Sequence, residues 1–424
     1  MTPLHATPMI LRTDTGPAGG PPAEAGRGER FLLRLGGALH RHGLPADRLE
    51  EALGSCARAL GLRAQLFCTP TSLFASFGEA GEGRAELLRV EPGEVDLGRL
   101  ADLDELIEAV GSGALSAEAG EARLDELAAR TRRWGPAATL LAFGPASAAA
   151  ACFLGGSLGA AAAAWVVGTV LGVLVVAAAS RPTLGRLLEP AGGLLSALLA
   201  SLLAPEGGVE VATLAALIVI LPGFSFTVGM TELATRHLAA GTARLAGTAV
   251  SFLSLGFGVA VGWHLGDGAL VEALRPALAL PDAPLPAWAL PAALLAAPAA
   301  FTVLFGARRR DAPWILLGCL VAWGGATLGV AWLGPRLGAV LGATALAAGS
   351  HLLERHSSRP ALVTLVPGIM LLVPGSVGFQ SVRSFLAADT LGGVEAAFRT
   401  GLVAVSLVAG LLVAQALVPP RRAL

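Results

Sequence analysis

Leu221-Pro222-Gly223-Phe224-Ser225-Phe226-Thr227-Val228-Gly229-Met230-Thr231-Glu232 is the stretch on which the fold turns. It breaks an apolar run with a Pro-Gly pair. Proline removes a backbone donor and stops a helix, and glycine relaxes the following turn. A second interruption is double: Leu365-Val366-Pro367-Gly368, then Leu372-Val373-Pro374-Gly375-Ser376. At membrane depth no water satisfies freed backbone groups, so a broken helix needs protein or a polar cavity around it. Paired breaks in corresponding halves point to a transporter binding site.

Composition fits that reading. Of 424 residues 54% are hydrophobic and only 14% charged, with a mean hydropathy of +0.67. A soluble domain carries about a quarter charged residues. Every basic residue is Arg; Lys, Asn and Tyr are absent, a bias expected of a GC-rich bacterial genome. Without Lys there is no P-loop, so a P-loop ATPase is excluded. The net charge of -1 gives no reason to expect nucleic acid. The four cysteines form no CxxC, and no metal, cofactor or disulfide framework is expected. No GxSxG or HExxH occurs. The Pro/Gly-rich residues 1–30 hold no apolar core of a signal peptide and are expected to be a disordered tail.

Residues 31–133 predict an α+β domain. Phe31 to His42 and Ala46 to Leu60 have helical spacing, then come β-like runs Arg63 to Cys68, Ser72 to Phe77 and Glu86 to Val90, then helices Leu97 to Val110 and Ala117 to Arg133. Ten apolar segments follow, at 136–154, 158–179, 190–204, 209–230, 243–265, 285–305, 313–333, 336–353, 359–380 and 396–418. The fold class expected is mainly α: a polytopic membrane protein of about ten transmembrane helices, with a first half over 134–266, an external loop over 267–284 and a second half over 285–420. Thirteen loop arginines, from Arg132 to Arg422, fall on the side of the N-terminal domain against four on the other, Arg275, Arg336, Arg383 and Arg399. Basic loops stay inside, so both termini are expected to be cytoplasmic. A shift of 152 residues lays Pro222-Gly223 on Pro374-Gly375 and Gly241 on Gly393. Five spans per half is odd, so the halves would form an inverted repeat.

The candidate site residues cluster at the breaks: Pro222, Gly223, Ser225, Thr227 and Glu232 in the first half, and Pro367, Gly368, Pro374, Gly375, Ser376 and Gln380 in the second. Ser225 and Thr227 can bond freed carbonyls or a polar ligand. A carboxylate inside a membrane costs roughly 2.5–3.5 kcal/mol, so Glu232 is expected either to face a cavity, as proton carrier or ammonium partner, or to sit solvated beside Arg236. A half-helix beginning near Ser376 would offer free amides to a carboxylate. His351, Glu354, Arg355 and His356 read as a charged loop.

The chain resembles the threonine/serine exporter (ThrE) family from about Arg30 to Pro420. The resemblance rests on the Cys68-Thr69-Pro70-Thr71-Ser72 corner, on Leu221-Pro222-Gly223 followed by Glu232 and Gly241-Thr242-Ala243-Arg244, on the Pro367/Pro374 doublet, and on the five-plus-five plan. It implies two fused halves and an inner-membrane exporter of small hydroxy amino acids, driven by protons and not an enzyme. Some relatives are associated with small dicarboxylates such as succinate. Where the family often has Asp, this chain has Glu232. The expected partners are a small-molecule substrate, protons and the lipid bilayer, and a homo-oligomer is compatible with the plan. A passive channel and a membrane-anchored cytoplasmic enzyme or sensor are the rival readings.

Overall fold

The computed structural model describes residues 10–13, 23–79, 83–335, 337–357, 359–372, 381, 384 and 389–421. Four strands, β1 (Ile10–Thr13), β2 (Ala64–Thr69), β3 (Ser72–Phe77) and β4 (Arg84–Arg89), form an antiparallel sheet in the order β1-β4-β3-β2. Strand alternation turns Leu73, Ala75 and Phe77 inward, while Phe67 and Phe74 remain outside with ring centroids 5.9 Å apart. Four helices complete the N-terminal domain: α1 (Ala23–Arg41), α2 (Ala46–Ala59), α3 (Leu97–Gly111) and α4 (Ala117–Ala129). Phe31, Leu35, Leu39, Leu49, Leu53 and Leu100 are fully or nearly fully buried at its centre. Gly36 leaves room there for two core leucines, since a Cβ would stand 2.5 Å from the end of Leu73 and 2.9 Å from that of Leu53. The expected tail differs from this picture: Ile10–Thr13 pairs with β4, and α1 starts at Ala23 rather than Phe31. A four-residue strand is too short to show a period, and the glycines at 26 and 28 mask the start of the helix.

The apolar region folds into α5 (Pro136–Phe153), α6 (Leu158–Ala179), a short α7 (Pro182–Arg186), α8 (Leu188–Leu203), α9 (Val209–Leu217), α10 (Gly223–Ala234), α11 (Leu238–Gly266), α12 (Ala269–Leu278), α13 (Ala289–Leu304), α14 (Ala312–Leu333), α15 (Ala339–His356), α16 (Leu362–Leu372) and α17 (Thr390–Leu417). Among the described residues five helical stretches are long and apolar enough to cross a membrane: α5, α6, α11, Arg309–Leu333 and α17. α8, α13 and α16 are shorter apolar helices. The expected fourth segment is divided between α9 and α10. α15 begins and ends three residues later than expected, running through the charged residues to His356. It buries His351 and Glu354, because His351 Nδ1 lies 2.8 Å from the Val418 oxygen and the Arg421 amide donates to Glu354 at 3.2 Å.

Helix packing here runs on small residues. α8 lies along α11, and a Cβ at Gly193 would stand 2.3 Å from the Leu255 oxygen, at Gly258 2.1 Å from the Pro190 oxygen, and at Gly262 2.5 Å from the Leu194 oxygen. Such rows of glycine let two backbones approach where the hydrophobic effect gives no drive for association. The opposite face of α11 shows Val250, Leu253 and Phe257 outward, each more than 60% exposed. An apolar face of that kind suits lipid and would aggregate in water.

The N-terminal domain is tied to the turn between α13 and α14. Leu97 donates its amide to the Phe305 oxygen at 2.8 Å, and Trp134 donates Nε1–H to the Ala307 oxygen at 2.9 Å. Arg308, buried, donates to Asp102 and Glu105 of α3 at 2.6 Å each.

Two outcomes follow from this packing. Gly258→Ala forces α8 and α11 apart, which costs about 1–3 kcal/mol of overpacking and lowers the thermal midpoint of the detergent-solubilised chain. In the N-terminal domain, burial and then Arg99, Arg41 and Arg132 hold the His42 imidazole down at about 4. Its folded value lies below the unfolded one of about 6.5, so unfolding takes up a proton between the two. Stability therefore falls as pH drops from about 6.5 through 4. In His42→Gln a thermal-shift series over that window declines less steeply than in the parent.

Candidate functional site at the helix break

The sequence break at Pro222 is a structural break. α9 ends at Leu217, Ile220 and Leu221 donate back to the Leu217 oxygen at 2.8 and 2.9 Å, and α10 starts afresh at Gly223 with Pro222 as its N-cap residue. At 1.5 Å per residue, the nine residues of α9 span about 14 Å and the twelve of α10 about 18 Å, so the break lies near mid-depth of the segment. The first-turn amides of a helix lack intrahelical partners, so α10 presents donors and a positive dipole end there. Beyond the break α10 packs on α11 and also on α16 and α17, and Phe224 rests on the apolar cluster holding Leu365, Val366 and Ile369.

The polar side chains of α10 are arranged unequally. Thr227 is buried and donates its hydroxyl to the Gly223 oxygen at 3.2 Å, and Thr231 and Thr235 repeat this one turn apart. Ser225 is half-buried, and its hydroxyl bonds to none of the described residues. Pro222 is half-buried and Gly223 buried.

Glu232 is fully buried. Arg244 of α11 grips it with two parallel bonds, Nε to Oε2 and Nη2 to Oε1, each 2.9 Å. The Ala46 amide, at the start of α2, donates to Oε1 at 3.0 Å. Pro45 before it has no donor, so the carboxylate supplies the acceptor that an unaided helix start lacks. The nearest partner in the chain, Arg236, instead forms the turn: it takes φ 68°, and His237 donates to the Glu232 oxygen at 2.8 Å. That six-to-one bond with a left-handed residue is a Schellman ending. His237 is thereby placed 3.3 Å from Glu50, which also accepts the Cys68 amide at 2.7 Å. His40, buried nearby, keeps Nε2 2.8 Å from the Pro70 oxygen, and burial lowers its pKa against the pull of that bond.

In the second half Pro367 and Gly368 are buried inside α16, which runs on to Leu372 without ending at them. The expected break at this pair is absent; Gly368 serves packing, since a Cβ would stand 2.5 Å from the Leu346 side chain of α15. Pro374, Gly375, Ser376 and Gln380 lie outside the described residues. Sequence reasoning missed Arg244, Ala46, Glu50 and His237. Only Arg244 carried a local signal, twelve residues on from Glu232; the others meet through tertiary folding.

Among the described residues no group of three or more His, Cys, Asp or Glu could hold a metal. In the N-terminal domain burial pushes the Cys56 thiol up to about 11 and raises Cys68 further, so neither is a thiolate at neutral pH.

Comparison with known proteins extends this geometry. The chain is similar to "Pheromone-regulated membrane protein 10" of Candida albicans (strain WO-1), 30% identical over 244 residues covering 55% of this chain and 22% of that one. The protein of the same name from Yarrowia lipolytica is 27% identical over 251 residues, covering 57% and 20%. That from Pichia sorbitophila is 24% identical over 390 residues, covering 87% and 37%. The chain thus spans well under half the length of these curated relatives. No solved structure matches. The model of the family described as "Putative threonine/serine exporter" matches residues 30–266, from α1 to the end of α11. A second, "Threonine/Serine exporter, ThrE", matches residues 292–417, from α13 to the end of α17. The two matches take in the N-terminal domain and both apolar stretches in order, and the chain belongs to the threonine/serine exporter (ThrE) family.

Proposed function

We propose that this chain is a secondary transporter that exports threonine, serine or a similar small hydroxy amino acid across the inner membrane of a bacterium, driven by the proton gradient. The observation that carries the reading is the break between α9 and α10, which opens a helix N-terminus near mid-depth where α10 meets α16 and α17. A substrate carboxylate suits the first-turn amides at Gly223, Phe224 and Ser225, and the Ser225 hydroxyl suits the substrate's own polar side chain.

Ten crossings as an inverted five-plus-five repeat, with both termini cytoplasmic, are part of the same proposal. The element starts support it: α13, α14, α15, α16 and α17 begin 153, 154, 151, 153 and 152 residues after α5, α6, α8, α9 and α11. Packing agrees, for α15 lies on α17 as α8 lies on α11, and the equivalents α5 and α13 lie on each other. Gly410 meets the Val340 oxygen much as Gly258 meets Pro190.

Glu232 enters the proposal as the proton-linked group of the site. Both its oxygens are engaged by Arg244 and Ala46 in this conformation. To accept a proton or a substrate ammonium, it has to release Arg244. Removing one partner of a buried pair costs about 3–5 kcal/mol, lessened here because Arg244 is 22% exposed, so Glu232→Gln also loosens α2.

Counterflow of labelled threonine, serine and succinate in liposomes tests the function. Saturable exchange of the two amino acids that responds to a pH gradient is expected; exchange of succinate alone makes the substrate a dicarboxylate, and no flux at all defeats the transporter reading. Ser225→Ala is expected to raise the transport KM severalfold with little change in Vmax. Glu232→Gln is expected to abolish coupling to the gradient while Arg244→Gln keeps part of it. Equal losses in the two variants would reduce Glu232 to a structural partner of Arg244.

A further inference from the structure

We infer that the arginine-lined cleft between the N-terminal domain and the α13–α14 turn is a binding site for a phosphate-bearing anion, supplied by the headgroup of an anionic phospholipid. The cleft has a volume of about 640 Å³, within the roughly 300–1,000 Å³ of small-ligand sites. Arg123, Arg130, Arg133, Arg308, Arg309 and Arg310 line it, against only two carboxylates, Asp102 and Glu105. Those two acids are shared several ways. Asp102 meets Arg308 at 2.6 Å and Arg133 at 2.5 Å, with Arg130 at 3.8 Å, and one oxygen of Glu105 takes both Arg308 at 2.6 Å and Arg310 at 3.1 Å. Arg309 pairs with no carboxylate among the described residues and lies 5.1 Å over the Trp134 ring. Arg123 is paired with Glu126 of its own helix, which leaves five guanidinium groups around Asp102 and Glu105. Gathering them in one concave place is unfavourable unless an anion joins them. Guanidinium forks match phosphate oxygens in pairs, which sets the chemical class.

Position sets the source. Trp134 stands just before α5, and Arg308, Arg309 and Arg310 stand just before α14. Both helices begin membrane-length apolar stretches, so the cleft opens at the boundary of the bilayer. Tryptophan and arginine at that level meet lipid headgroups, and anionic lipids attract basic groups within a Debye length of the surface. The cleft walls come from α3 and α4 on one side and the α13–α14 turn on the other. A bound headgroup would therefore bridge the N-terminal domain to the second half of the bundle.

The test uses the full chain in detergent, titrated with phosphatidylglycerol or phosphatidylcholine and read by native mass spectrometry. Inorganic pyrophosphate is titrated separately by calorimetry. Arg309→Gln combined with Arg310→Gln removes two exposed charges of the cleft. Arg63→Gln combined with Arg89→Gln removes two exposed charges, one just before β2 and one at the end of β4, as a control of equal charge. Retention of phosphatidylglycerol over phosphatidylcholine, about tenfold weaker in the cleft variant and unchanged in the control, is the expected result. Pyrophosphate binding that the cleft variant abolishes, without selective lipid retention, overturns the lipid assignment and makes the ligand a soluble phosphate. Equal weakening in both variants, or no binding of either ligand, overturns the site.

Discussion

The structure depends on one buried carboxylate. Glu232 sits where α10 ends, the turn to α11 begins and α2 of the N-terminal domain starts, and its two oxygens serve all three. Desolvating a carboxylate is costly, and a bidentate guanidinium with an added backbone donor is the arrangement that offsets it. Because the donors come from different elements, the pair fixes the distance between the N-terminal domain and the first half of the bundle. The second half is held separately, through Arg308 and the amide of Leu97. The N-terminal domain thus touches both apolar stretches through the starts of two of its helices, α2 and α3. These contacts add to the direct packing of the two stretches, α5 on α13 and α10 on α16 and α17.

A helix break is tolerated in this setting because protein surrounds it. Pro222 cannot donate and α9 cannot continue, yet the turn residues bond back to Leu217 and α10 restarts against α11, α16 and α17. The hydroxyls of Thr227, Thr231 and Thr235 bond the helix backbone. Ser225 is the exception, and it sits in the first turn where the amides are open. Glycine plays the complementary part. Gly193, Gly258 and Gly262 remove side chains where α8 and α11 backbones meet, and Gly410 does so between α15 and α17. Tight backbone contact gives a membrane bundle its cohesion when burial of apolar surface alone does not.

The sequence by itself determined the class of the protein. Long apolar runs admit few structures, since backbone groups in lipid must be bonded within the helix, and Pro222-Gly223 cannot sit inside a regular one. The α2 start after Pro45, the three strands after it and α3 and α4 were legible from short-range period and punctuation. Tertiary structure decided the rest. Pro367-Gly368 has the same local chemistry as Pro222-Gly223 yet lies within α16, buried with Gly368 close against Leu346 of α15. Sequence distance offered Glu232 only Arg236; the left-handed turn at Arg236 leaves that side chain on the exposed side, and Arg244 takes the carboxylate. Its bond to Ala46 joins residues 186 apart in the chain. Local pattern reports which groups must be bonded, and only the folded chain brings the distant partners that bond them.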